Sequence, residues 1–220
     1  MTTRFTKRTG GVSHGAFASL NLGTHVGDSL DDVLKNREIL AKKIGPTQYM
    51  NQVHGERIAI VEEVTDEAPT ADALVSGIPG IALAVMVADC IPLLLKSSES
   101  VAAVHVGRRG LVNGITRKTI AVMREMGATH ITAIVGPSIC GQCYEVSEDI
   151  YREVVSEHPL AESRTKSGGY ALDLPAALRS ILSDEGIAII DKGECTVESP
   201  DLFSYRRDGV TGRQAGVISL

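Results

Sequence analysis

Two imidazoles and one thiol are the side chains of this sequence best suited to metal chemistry. His54 sits in Asn51-Gln-Val-His-Gly55, Cys90 in Ala88-Asp-Cys-Ile-Pro92 and His105 in His105-Val-Gly-Arg-Arg-Gly110. Two histidines and a cysteine make a three-ligand zinc set, and three protein ligands leave one coordination position open, the mark of a catalytic rather than a structural zinc. Taken singly, each has a structural explanation. His105 can be a strand-end histidine bonded to a carbonyl, Cys90 a small inert hydrophobe in a buried run, and His54 a loop residue. The local motifs raise the signal above that.

Asp89 lies beside Cys90 at the end of an apolar run, where an unpaired carboxylate is costly to bury. It is a candidate acceptor for a ligand histidine, or a group that touches substrate or orients a water. Gly107 and Gly110 let the chain turn from His105 into a helix. The N–H groups at the start of that helix, with Arg108 and Arg109, suit an oxyanion or phosphate. Near the C-terminus, Phe203-Ser-Tyr-Arg-Arg-Asp-Gly209 and Thr211-Gly-Arg213 concentrate arginine, tyrosine and glycine. Adjacent arginines point apart, so one of Arg206 and Arg207 is free for a ligand while the other pairs with Asp208. Cys140-Gly-Gln-Cys143 has the form of a redox pair or half a zinc site. With no second Cys-x-x-Cys and no thioredoxin-like context, it reads as a tight turn near the site.

The elements that must position these groups follow from periodicity. Ser29-Leu-Asp-Asp32 opens a helix that Gly45-Pro46 stops, and apolar spacing marks a second helix over 111–126. Further helices are expected at 147–157 and 174–185. Strand-like runs occupy 47–53, 57–61, 72–76, 81–87, 91–95, 101–106 and 130–135, with late strands at 187–190 and 216–219. Several runs are continuously apolar, so both their faces are covered. Residues 1–28 read as ordered loop anchored by Phe17, Leu20 and Leu22. The expectation is one mixed-sheet α/β or α+β domain spanning 1–220, with helices packed outside.

Composition sets outer bounds. The 220 residues are 43% hydrophobic and 22% charged, with no tryptophan and 4% aromatics, so the core is aliphatic. A net charge of −5 argues against a broad nucleic-acid surface. The run from Ile78 to Leu95 is broken by Pro79, Gly80, Asp89 and Pro92 and does not read as a membrane span. Met1 to Gly11 is polar and unlike a signal peptide, and four cysteines do not suggest a secreted disulfide scaffold. A cytoplasmic location is expected.

The ordered series of motifs resembles the bacterial polyphenol-oxidase-like, or laccase-domain, family, also described as purine nucleoside phosphorylases of the laccase-domain type. The resemblance runs through Arg8-Thr-Gly-Gly-Val-Ser13, Ser19-Leu-Asn-Leu-Gly23, His25-Val-Gly-Asp28, Asn36-Arg37 and Gln52-Val-His-Gly55. It continues through Asp72-Ala-Leu-Val75, Ala88-Asp-Cys90, His105–Gly110, Gly136-Pro137, Cys143-Tyr-Glu-Val146 and Phe203–Gly209. It implies metal ligands at His54, Cys90 and His105, with zinc or copper as cofactor. It also implies a layered α/β/β/α sandwich, phosphorolysis of adenosine, inosine and S-methyl-5′-thioadenosine, and adenosine deamination as a second activity. One position departs: where the family usually has tryptophan, this chain has Arg108, which bears on substrate preference.

The expected catalytic group is therefore Cys90, His54, His105 and Asp89. Arg8, Arg109 and Arg206 are candidate phosphate ligands, with Asn21 and Tyr205 as further substrate contacts. Purine nucleosides and phosphate are the expected partners, without nucleic acid or membrane, in a monomer or small homo-oligomer. Three rivals remain at this point. A copper polyphenol oxidoreductase would use the same trio with Met86 or Met50 as axial ligand, although six histidines are few for a full laccase centre. A cysteine hydrolase would use Cys90 as nucleophile and His105 as base. A zinc-stabilised binding or cell-wall-editing module would need no turnover.

Overall fold

The computed structural model describes residues 2–220. In chain order the elements are β1 (Thr2–Phe5), α1 (Leu30–Ile44), β2 (Thr47–Gln48), β3 (Ile58–Ile60), β4 (Ala73–Ser76), β5 (Ala82–Val87) and β6 (Ile91–Lys96). Then come β7 (Val101–Val106), α2 (Arg108–Val112), α3 (Ile115–Glu125), β8 (Thr132–Val135), α4 (Glu148–Glu157), β9 (Glu162–Arg164) and β10 (Tyr170–Leu172). The chain ends with α5 (Leu174–Asp184), β11 (Ala188–Asp191), α6 (Tyr205–Asp208) and β12 (Gln214–Ser219).

The strands form a four-stranded sheet in the order β1-β12-β5-β2, a six-stranded sheet in the order β11-β8-β6-β7-β4-β3, and a small β9–β10 hairpin. Side chains alternate across each strand, so every central strand feeds two layers. In β5, Leu83, Val85 and Val87 meet Leu94 of β6 and Ala103 of β7 between the sheets. Ala82, Ala84 and Met86 face the other way, against Leu20, Leu22 and Leu40 under α1. In β6, Leu93 and Leu95 face outward onto Leu111, Ile115 and Ile120 of α2 and α3, and onto Leu178 and Ile181 of α5. The result is the expected α/β/β/α stack, with its thickest apolar layer between the larger sheet and the helices.

Local signals explain most element ends. Ser29 Oγ accepts the Asp32 N–H at 3.4 Å, Asp31 and Asp32 occupy the first turn of α1, and Lys42 and Lys43 the last. The single helix expected over 111–126 is two helices, because Gly114 adopts φ 74° between α2 and α3. Residues 2–5, read from sequence as loop, are a strand: β1 pairs antiparallel with β12, through exposed polar side chains that carry no alternating apolar signal. The β9–β10 hairpin escaped the sequence reading because each of its strands is only three residues long, too short to show a period. The run expected as strand over 47–53 joins a sheet at Thr47–Gln48, makes one isolated bridge from Asn51 to Thr70, and then becomes the loop that delivers His54. No helix among the described residues is long and apolar enough to cross a membrane, and all four cysteines are free.

One buried amide orders the N-terminal loop. Asn36, on α1, is fully buried. Its Nδ2 donates to Ser13 Oγ at 2.9 Å, to the Ser19 carbonyl at 3.1 Å and to the Asn21 carbonyl at 2.9 Å, while its Oδ1 accepts the Val12 N–H at 2.8 Å. Removing the amide strands buried groups on three segments. Asn36→Ala should therefore lower unfolding free energy by at least about 2 kcal/mol, read from urea denaturation; a change within error would show that the loop is held elsewhere.

Candidate metal centre and its cavity

β7 presents Val101 and Ala103 to the layer between the sheets, and the same alternation aims His105 there, at the strand's end. Asp72 immediately precedes β4. The register Ala73↔Val104 sets it opposite His105, whose N–H donates to the Asp72 carbonyl at 2.8 Å. Their side chains pair as well: His105 Nδ1 lies 2.8 Å from Asp72 Oδ1, and the two are 4% and 0% exposed. The same carboxylate accepts three successive backbone N–H groups, from Val53 at 3.2 Å, His54 at 2.9 Å and Gly55 at 2.7 Å. Turning three amides onto one acceptor requires an unusual backbone, and His54 takes φ 57°, a conformation rare outside glycine. Burial pushes the Asp72 carboxyl up, but His105 and the Gly55 and Val53 amides more than reverse this, leaving it below the ordinary value.

Cys90 reaches the same spot from the start of β6. Its Sγ is 3.8 Å from His54 Nε2, and the two rings cross edge-on with centroids 4.6 Å apart. Because Nδ1 of His105 is committed to Asp72, its Nε2 is the nitrogen left for the cluster. One donor atom from each of the three residues lies within 4.8 Å of the others. Bonds of about 2.3 Å to sulfur and about 2.0–2.1 Å to nitrogen at a tetrahedral angle span about 3.6 Å between the donors, so the trio fits a zinc-sized ion with little movement. Gly107 permits the approach: a Cβ there would sit 3.0 Å from Cys90 Sγ and 3.1 Å from His54 Cδ2. Burial pushes the Cys90 thiol up, yet the two histidines bring it down to about 6. Burial pushes His105 down, yet Cys90 and Asp72 lift it to about 9. Without metal the pair is a thiolate and an imidazolium.

The trio forms part of the wall of a cavity of about 440 Å³, also lined by His25, Met86, Tyr144, Tyr205, Arg206 and Arg213. That volume is ordinary for a small-molecule site, where about 300–1,000 Å³ is typical. Asp89 lines it with φ 96°, but its carboxylate turns to the C-terminal segment. Oδ1 accepts from Thr196 Oγ1 at 2.6 Å and Ser204 Oγ at 2.7 Å, and Oδ2 accepts the Arg206 N–H at 2.6 Å. The carboxylate paired with a ligand histidine is therefore Asp72, not Asp89 as the sequence suggested.

The other expected contacts divide. Tyr205 and Arg206 reach the cavity, and Arg206 Nη1 donates to the Glu145 carbonyl at 2.8 Å beside the Tyr144 ring. Arg207 is the partner of Asp208, with two contacts of 2.8 Å, and its Nη1 and Nη2 also bind loop carbonyls, including Ser199 and Leu202. Arg8 and Arg109 do not reach it. Arg8 Nε donates to the Ala18 carbonyl at 3.0 Å and its guanidinium lies over Phe203, while Arg109 is exposed on the outer side of α2. α2 is only Arg108–Val112, and none of its residues lines the cavity. Asn21 is fully buried and serves the backbone, its Oδ1 accepting the Arg213 N–H at 2.8 Å. Arg108 is half-buried beside Glu153 and Tyr144 and reaches the cavity only through Tyr144. Arg213, His25, Tyr144 and Asp72 were quoted in sequence motifs without a role; only the topology assigns them one.

Comparison with known proteins agrees with the fold. The family described as multi-copper polyphenol oxidoreductase laccase matches residues 2–220. The chain is 45% identical to a purine nucleoside phosphorylase of Corynebacterium glutamicum over 228 residues, covering 98% of this chain and 93% of that one. It is 44% identical to one from Streptomyces coelicolor, covering 98% and 94%. Among solved structures, Neisseria meningitidis protein NMB0706 superposes with a TM-score of 0.90 at 41% identity, covering 99% of this chain and 93% of that one. A Bacillus licheniformis hypothetical protein, YfiH, gives 0.91 at 31%, covering 100% and 92%.

Two measurements check this geometry. In metal-free protein, the rate of Cys90 alkylation should rise through a midpoint near 6. A midpoint near the ordinary thiol value, about 8.5, would mean that no thiolate–imidazolium pair forms. A thiol held near 6 adds stability as pH rises from about 6 toward the ordinary thiol range, and an imidazole held near 9 loses its own as pH rises from the ordinary histidine range toward about 9. The two offset, so the pair should leave the unfolding free energy of metal-free protein nearly flat with pH across that window. Asp72→Asn should weaken zinc affinity about 10–100-fold by competitive chelator titration, and an unchanged affinity would deny Asp72 its hold on the ligands.

Proposed function

This chain belongs to the laccase-domain family, and from that membership we propose that it is a zinc-dependent purine nucleoside phosphorylase. The carrying observation is the open three-ligand cluster in the wall of a cavity that also holds two arginines, Arg206 and Arg213. The substrates proposed are adenosine, inosine and S-methyl-5′-thioadenosine, the relatives being named for nucleoside phosphorolysis. A phosphate oxygen bonds to the anomeric carbon of the ribose, the bond to the purine nitrogen breaks, and the purine leaves with a proton.

Arg213 suits phosphate. Its Nη1 is spent on the carbonyls of Thr211 at 3.1 Å and Gly212 at 2.9 Å, so its remaining donors have no protein acceptor among the described residues. Arg206 lines the same cavity, held by Glu145 and by its own N–H on Asp89. Tyr205, 63% exposed at the cavity, offers a ring for the purine. His25 is pushed below its ordinary value by burial, then by Arg213 and Arg37, and so presents a neutral imidazole to substrate. When bound by His54, Cys90 and His105, zinc supplies Lewis acidity at its open position, which suits a second activity on adenosine in which water adds at carbon six and ammonia leaves.

The surroundings favour zinc over a blue-copper centre. Met86 Sδ accepts from Arg37 Nη2 at 3.7 Å on the α1 side, and Met50 is buried between the sheets, so the sulfurs proposed as axial ligands serve other contacts. The thiolate–imidazolium pair does support a cysteine hydrolase as a second reading.

Incubation with adenosine separates these readings. Free adenine formed only with phosphate supports phosphorolysis; zinc-loaded protein with no turnover of any of the three nucleosides would sink it. Cys90→Ala should lose both zinc and activity, and activity without metal would favour the hydrolase. Arg213→Met should raise the phosphate KM about 10–100-fold with a smaller change in kcat, the loss expected for charge-assisted hydrogen bonds.

A further inference from the structure

A second group of sulfurs lies outside this centre. The turn Cys140-Gly-Gln-Cys143 provides two, and the topology brings Cys195 to them from a distant segment. The backbone fixes both segments without help from sulfur. Ser138 bridges to Cys195 in parallel pairing, the Ser138 N–H donates to the Glu194 carbonyl at 3.1 Å, and the Thr196 N–H donates to the Ser138 carbonyl at 3.1 Å. Within the turn, the N–H groups of Cys143 and Tyr144 both donate to the Cys140 carbonyl at 3.1 Å. Gly141 presses the turn against α5, since a Cβ there would lie 2.8 Å from Asp173 Cβ.

We propose that Cys140, Cys143 and Cys195 form a second metal site, for a thiolate-seeking cation of the zinc class. The three sulfurs lie within 4.8 Å of one another and each residue is part-exposed, so an ion can reach them. Tetrahedral zinc with bonds of about 2.3 Å to sulfur holds its thiolates about 3.8 Å apart, a contraction that a surface turn accommodates. A disulfide would join two sulfurs and leave the third, whereas a metal uses the whole triangle. Glu194 borders the same surface recess, where Glu198 and Asp201 are already paired with Lys166 and Lys7. Three thiolates held this close need a positive ion among them, and binding releases the thiol protons to solvent.

The site has a structural consequence. Cys143 precedes Tyr144 of the cavity wall, and Cys195 precedes Thr196, which holds Asp89. An ion here clips together the two loops that bound the cavity, whatever reaction occurs there.

The test uses the full chain with zinc, then cobalt, as probes. Cys90→Ala removes the sulfur of the first centre, and it should still bind about one zinc per chain. With cobalt it should show sulfur-to-metal charge-transfer absorption, and zinc should raise its Tm. Adding Cys143→Ser should abolish all three. Should Cys90→Ala not fold, wild type against Cys143→Ser gives the same answer: about two zinc ions falling to about one. One zinc in both proteins, no zinc or cobalt signal in folded Cys90→Ala, or a Cys140–Cys143 disulfide in freshly purified protein would each overturn the site. Loss of nucleoside turnover would not, because the readout is metal content and spectrum.

Discussion

A single buried carboxylate organises the candidate metal centre. Asp72 is 0% exposed and would be costly in an apolar layer on its own, but four donors converge on it: His105 Nδ1 and the amides of Val53, His54 and Gly55. Those bonds do more than satisfy a charge. They select the His105 nitrogen that faces the cluster, and they hold the 53–55 loop in the backbone conformation that presents His54. Both imidazoles, from different parts of the chain, thus take their orientation from one side chain placed by the β4–β7 register.

Asp89 plays a parallel part on the other wall. Its side chain gathers Thr196, Ser204 and the Arg206 amide, so the segment carrying the cavity's tyrosine and arginines is fastened at the residue before Cys90. Arg207 completes the fastening by donating to carbonyls of the 196–202 loop. The positive φ values at His54 and Asp89, the only non-glycine ones among the described residues, fall at these two carboxylate-organised turns. Local strain there is held by buried hydrogen bonds, the usual circumstance in which a site keeps an unfavourable backbone.

The layered fold was readable because its strands are continuously apolar and its main helices carry caps. Leu93, Leu94 and Leu95 signal a strand covered on both faces whichever way it is registered. Thr2–Phe5 was not readable, since its pairing is made by the backbone beneath mostly polar side chains, and the β9–β10 strands, three residues each, are too short to show a period. The trio was legible by residue type. The roles of its neighbours were not, because they depend on which strand lies opposite which. Asp89 adjoins Cys90 in sequence but points away, whereas Asp72 reaches His105 through strand register. Arg8 and Arg109 look equivalent to Arg206 and Arg213 in a list of cations. Only the last two emerge where the chain folds back on the cavity.

Dependence on a buried charge also means that stability alone does not account for this centre. Replacing a buried ionic network with well-packed apolar groups is often neutral or stabilising, so stability alone supplies little reason to keep Asp72 in this layer. An apolar residue there would fill space between the sheets as Leu74 and Leu94 do, but it would release three amides and free His105 to rotate. Val101 and Ala103, on the same face of β7, show the ordinary solution for that layer. The chain departs from that solution at the strand ends that meet the cavity, and there the gain is a fixed geometry for His54, Cys90 and His105.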